Sequence, residues 1–83
     1  MGVEFLVEQA GCASCAKLIR EALGELGRIE RVEVDEEADV ALVGLEPNGV
    51  ISPRDAQRIL DGISAEAGHA YRVRPGSWRI LAT

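Results

Sequence analysis

The sequence predicts an α+β open-faced sandwich, a four-stranded antiparallel sheet with two helices on one face, in the order strand, helix, strand, strand, helix, strand. Three observations predict it. Two amphipathic helical patterns are interleaved with short strand-like runs. Two of those runs, residues 3–8 and 38–45, are apolar on more than one side and belong in the middle of a sheet, whereas residues 28–35 and 71–74 alternate and belong at edges. Finally, 83 residues hold one domain only, and right-handed crossovers return each helix to the same side. The domain is expected over residues 1–75, with a tail or linker over 76–83.

In the first strand Val3, Phe5 and Val7 share one face and Leu6 lies on the other. Leu18, Ile19, Ala22, Leu23 and Leu26 then recur at helical spacing with Lys17, Arg20, Glu21 and Glu25 between them, so a helix is expected to end near Gly24 or Gly27. Residues 28–35 set Ile29, Val32 and Val34 against Glu30, Arg31, Glu33 and Asp35, and the acidic Asp35-Glu36-Glu37 turn reverses the chain. Val40, Ala41, Leu42, Val43 and Leu45 make the second central strand. After the Glu46-Pro47-Asn48-Gly49 turn, Ser52-Pro53-Arg54-Asp55 supplies an N-cap serine, a first-turn proline and an acid at the third helical position. Ala56, Ile59, Leu60, Ile63 and Ala67 form the stripe of this second helix, and Gly68 is its C-cap; Gly62 inside it costs about 1 kcal/mol relative to alanine. Tyr71 and Val73 alternate with Arg72 and Arg74 until Pro75-Gly76. Beyond them, Trp78, Ile80 and Leu81 leave two alternatives open, a further strand or a linker, and Trp78 reads as packing rather than function.

Nine Lys and Arg against fourteen Asp and Glu give a net charge of -5. That balance opposes the phosphate neutralisation that nucleic-acid binding needs, and it favours docking to a basic patch on another protein. Hydrophobic residues at 47% and charged residues at 28% suit a soluble globular chain. There is no apolar run of the roughly 18 residues that a membrane span needs, and no basic-then-apolar start. A cytoplasmic location is expected.

The chain's two cysteines stand in Gly11-Cys12-Ala13-Ser14-Cys15, between the first strand and the first helix. A helix start lowers thiol pKa, and in a cytosolic chain such a pair reads as a metal or redox dithiol rather than a structural disulfide. Thiolates are soft ligands, and two of them favour a low-coordinate ion, Cu(I) above all; structural zinc and iron-sulfur clusters need more donors. A dithiol redox protein using the same cysteines is the enzyme-class alternative, although the chain lacks W-C-G-P-C surroundings and the thioredoxin order of elements. A carrier that breaks no bond is preferred. In this topology the loops after the first strand and before the last open at one end, so Cys12 and His69 are expected to be neighbours. His69 then reads either as a third ligand or as a hydrogen-bonded histidine after a helix cap. Ser14 is expected to cap the first helix, and Lys17 to be a solvated helix residue.

These residues resemble the heavy-metal-associated domain of copper chaperones, metal-exporting P-type ATPases and mercuric-ion binding proteins. The resemblance covers about residues 3–73. It rests on Cys12-Ala13-Ser14-Cys15 for the family's C-x-x-C, on Ile19, Ala22 and Leu23, on the runs 29–34 and 50–55, and on Ala67-Gly68-His69 for its A-G-Y or A-G-F. It implies that Cys12 and Cys15 are metal ligands, with Cu(I) first and Zn(II), Cd(II) or Hg(II) as alternatives, and that a mercuric-ion carrier is a further version of the same chemistry. It also implies a metal-transporting protein or P-type ATPase domain as partner, met through complementary charge, and allows a metal-bridged homodimer. His69 stands where many relatives carry an aromatic residue or lysine and some cyanobacterial copper chaperones a histidine. Gln9 and Ala10 depart from the usual glycine and methionine, Gly11 from threonine, and Gly27-Arg28 from Pro-Gly. Loss of the methionine anchor predicts a looser loop.

Overall fold

The computed structural model describes residues 2–81. Seven elements follow one another: β1 (Gly2–Glu8), α1 (Ala13–Leu23), β2 (Gly27–Asp35), β3 (Val40–Pro47), α2 (Pro53–Ala67), β4 (Arg72–Val73) and β5 (Arg79–Leu81). The sheet order is β2-β3-β1-β4, every neighbouring pair is antiparallel, and β5 joins β1 beside β4. The two apolar strands are therefore central, as their composition requires.

Strand pleating sends alternate side chains to opposite faces. Val3, Phe5 and Val7 of β1 lie opposite Leu45, Val43 and Ala41 of β3, and all six are buried under the helices. Ile19 and Leu23 of α1 and Ala56 and Leu60 of α2 close the core from above. Burying a side chain such as Phe5 contributes about 1.5–3 kcal/mol. On the open face Leu6 pairs with Leu42, while Glu4 and Glu8 bind Arg31 and Arg74 at 2.8 and 3.4 Å.

Spacing in β2 has a specific cause. Ile29, Val32 and Val34 are not evenly spaced, yet each is half-buried, because the ladder with β3 shifts between Ile29 and Arg31. The bulge inserts one residue and resets the alternation.

Helix α2 starts as its sequence predicts. Ser52 is the N-cap, Pro53 opens the first turn, and the Asp55 carboxylate accepts from the Ser52 N–H at 2.7 Å and its hydroxyl at 3.1 Å. Gly68 ends it in the left-handed region at φ 72° and donates its N–H to the Ser64 carbonyl.

The region after α2 differs from a simple edge strand in two ways. First, β4 is only two residues long, and its outer side is completed by a side chain: Gln57 donates to the Tyr71 carbonyl at 3.0 Å and accepts the Val73 N–H at 2.8 Å. Second, of the two alternatives for the tail, a further strand is formed, so a fifth short strand joins the four expected. β1 passes from β4 to β5 at Leu6, whose carbonyl accepts the Arg74 N–H and whose N–H is taken by the Ser77 hydroxyl at 3.1 Å. Trp78 packs as expected, stacked on Phe5 with centroids 4.8 Å apart. Residues 82 and 83 of the tail lie outside the described residues.

Candidate metal centre

The site is built where β1 runs out. Gln9 turns the chain through the left-handed region at φ 62°, and Ala10 is fully buried. Ala10 and Gly11 then donate their N–H groups to the carbonyl and the carboxylate of Asp39, at 3.3 and 3.0 Å. A Cβ on Gly11 would stand 2.6 Å from the Asp39 Cα, so glycine is the residue that lets the two segments meet. The β2–β3 turn thus anchors the cysteine loop from the side. Sequence reasoning missed Asp39; its signal was an Asp inside an acidic turn, which reads equally well as solvation.

Cys12 takes an extended conformation, φ -119° and ψ 155°, and is itself the N-cap of α1: its Sγ accepts the Cys15 N–H at 3.1 Å. This corrects the expectation that Ser14 caps the helix. Ser14 lies two residues too far along, inside the first turn, and its hydroxyl lies 3.4 Å from the Cys12 sulfur instead. Cys15 is 1% exposed and packs into the core, whereas Cys12 is half-buried at the rim. Lys17 is exposed.

The two sulfurs are joined in a disulfide, with Cα atoms 5.1 Å apart. The loop is thus in its oxidised form, and two electrons and two protons are needed to return it to a dithiol. The sequence reading set a structural disulfide behind a metal or redox pair. The bonded cysteines are three positions apart in sequence, so the bond closes a local ring and ties no distant elements together.

Across the same edge stands His69, exposed in the loop after Gly68. The ligand atoms of Cys12, Cys15 and His69 all lie within 4.8 Å of one another, although the first and last are 57 positions apart in sequence. The juxtaposition follows from topology, since β1 ends and β4 begins at one end of the sheet. The His69 ring stacks against Tyr71 at 5.8 Å and 16°. Tyr71 is buried, its hydroxyl finds no hydrogen-bond partner among the described residues, and burial pushes its pKa up. The loop that carries His69 is tied back to the cysteine side by Gln9, whose side-chain oxygen accepts the Ala70 N–H at 3.2 Å.

The description of the heavy-metal-associated domain matches this chain over residues 4–66, a span that includes both cysteines and stops short of His69. The chain belongs to the heavy-metal-associated domain family. Two solved structures share its ferredoxin-like fold. Oxidised MerP from Ralstonia metallidurans CH34 is 17% identical with a TM-score of 0.56, over 89% of this chain and 99% of that one. A structure described as "Crosstalk between Cu(I) and Zn(II) homeostasis" is 22% identical with a TM-score of 0.52, over the same shares. No curated protein matches the chain significantly. Heavy-metal-associated domains bind heavy-metal ions as carriers rather than typical enzymes and generally pass them to transporters. Among the described residues of this one, no helix is long and apolar enough to cross a membrane.

Proposed function

We propose that this heavy-metal-associated domain carries Cu(I), held by the thiolates of reduced Cys12 and Cys15 with the His69 imidazole as a third donor, and passes it to a partner by ligand exchange. The observation that carries the reading is the approach of these three donor atoms to within 4.8 Å at an open edge. Two soft sulfurs and one imidazole suit a low-coordinate soft ion better than a closed tetrahedral site, which needs four ligands. Burial divides the labour: Cys15 is fixed in the core, while half-buried Cys12 and exposed His69 leave one side open to an incoming thiolate. The partner in this reading is a metal-transporting protein or P-type ATPase domain with a basic surface, complementary to the net charge of -5. The setting is the cytoplasm, where thiols are kept reduced.

Anaerobic titration of the reduced protein with Cu(I), Zn(II), Cd(II) and Hg(II) against competing chelators tests the proposal. Cu(I) should be retained most firmly at protein:chelator parity, and Cys12→Ser and Cys15→Ser should abolish retention. Equal weak binding by wild type and both serine variants overturns the reading, and tighter retention of Hg(II) under delivery conditions replaces Cu(I) with a mercuric cargo. Light scattering during the titration registers any dimer bridged by one ion.

The disulfide favours one second reading, a redox dithiol that cycles between the observed bond and two thiols. A disulfide-reductase assay separates the two. A carrier shows negligible turnover, and sustained turnover with a physiological thiol reductant supports the redox protein.

A further inference from the structure

We propose that Gln9 is a positioning residue that holds His69 beside the two cysteines, an inference that rests on the reading of His69 as a ligand. The backbone at Gln9 lies at φ 62°, in the region that L side chains other than Asn and Asp rarely adopt and glycine enters freely. Glutamine in that place gives up conformational ease, so its side chain is the feature to account for. That side chain crosses to a segment 61 residues away, where its Oε1 accepts the Ala70 N–H at 3.2 Å.

Ala70 follows His69 directly, and the short segment is held at three amides. The Gly68 N–H reaches the Ser64 carbonyl at 3.0 Å, and the Tyr71 N–H reaches the Ser64 hydroxyl at 3.2 Å. Both of those tie the segment to its own helix, α2. The bond to Gln9 alone among the three ties it to the chain that leads into Cys12, three positions further on. Because Gln9 also makes the turn out of β1, one residue sets the direction of the cysteine loop and the reach of the histidine loop. Stacking on the buried Tyr71 ring then orients the imidazole. With the Gln9 bond gone, exposed His69 stands on a segment whose remaining amide bonds, before β4 begins, go to α2, and its distance from the sulfurs is free to widen.

The test is a double-mutant cycle on the reduced full chain, with Cu(I) affinity from chelator competition and the ring-nitrogen shifts of ¹⁵N-labelled His69 as readouts. Gln9→Gly removes the acceptor while suiting the backbone angle, so it should fold. It should weaken Cu(I) binding by about 2- to 12-fold, the factor that corresponds to one neutral hydrogen bond. It should also shrink the His69 shift change that Cu(I) produces. In a His69→Ala background the same substitution should have no further effect, and Gln9→Glu, which keeps an acceptor of the same length, should restore the His69 shift change. If His69→Ala weakens binding while Gln9→Gly matches wild type, or weakens it equally with and without His69, the positioning role is overturned and ligation by His69 stands. If Cu(I) leaves the His69 nitrogens of the wild type unmoved, ligation fails and the positioning role falls with it.

Discussion

The Asp39 carboxylate accepts the Gly11 N–H at 3.0 Å, and the Asp39 Cα lies 2.6 Å from where a Gly11 Cβ would stand. The two residues belong to different turns, and each needs the other's unusual feature. Gly11→Ala should force the turns apart and cost about 1–3 kcal/mol, the range for overpacking a tight contact. Asp39→Ala should cost about 1–2 kcal/mol, through one lost hydrogen bond and a left-handed φ of 55° that alanine tolerates poorly. Asp39→Asn keeps an acceptor and a tolerance for that angle, and should stay near wild type. Urea unfolding of the three variants checks the order; an Asp39→Ala midpoint equal to wild type would show that the clamp contributes nothing.

Cys12 has a structural duty besides its chemistry, because its sulfur caps α1. Cys12→Ser and Cys12→Ala lose the same thiol, but serine returns an acceptor to the cap. In reducing buffer the serine variant should be more stable than the alanine variant by about 1 kcal/mol. Coincident thermal melts for the two would count against the cap.

Gly62 lies in the interior of α2, and, its own helix backbone and chain neighbours aside, no atom of the described residues stands within 4 Å of the Cβ it lacks. Gly62→Ala should stabilise the fold by about 0.5–1 kcal/mol, raising Tm by several degrees in a domain of this size. Calorimetry decides it, and a lowered Tm would mean that the helix surface is occupied by something other than solvent.

Two donors on Ser52, the backbone N–H more than the hydroxyl, hold the Asp55 carboxyl below the usual aspartate range. Its folded value is depressed relative to the unfolded chain. The stability it contributes is therefore fully present above the ordinary aspartate value and is lost as pH falls through the folded value. Asp55→Asn, which carries no charge, should be less stable than wild type near neutral pH, and the gap should narrow in acid. A gap that stays constant across the acid range would show that ionisation of Asp55 plays no part.

Much of this was legible in the chain because it rests on local patterns. The capping box at Ser52 and Asp55, the Gly68 stop and the apolar middle strands each report a nearest-neighbour preference, and each appears where the residues place it. Even the meeting of Cys12 with His69 was legible, since the order of elements puts both loops at one end. What escaped were bonds between side chains and distant backbone. Nothing in a one-dimensional pattern marks Gln57 as the partner of Tyr71 and Val73, Asp39 as the clamp on Gly11, or Gln9 as the tie to Ala70. Serine is the commoner cap residue, which drew the expectation to Ser14, while the backbone enters the helix two positions earlier, at Cys12.

The way β4 and β5 divide the edge of β1 bears on how the molecule behaves in a crowded solution. An unpaired strand edge is a template for another chain, and without β4 and β5 the apolar β1 would present one. Residues Gly2, Val3 and Glu4 are covered by Leu81, Ile80 and Arg79, Val7 and Glu8 by Val73 and Arg72, and the amide between them by the Ser77 hydroxyl. Besides the short outer sides of β4 and β5, the edge left to a visitor is that of β2, which is kinked by its bulge and lined with Arg28, Glu30, Arg31 and Glu33. Residues 79–81 therefore shield the edge of β1 at Gly2, Val3 and Glu4, and removing that short strand should unmask an adhesive edge at the end of β1 opposite the cysteine loop.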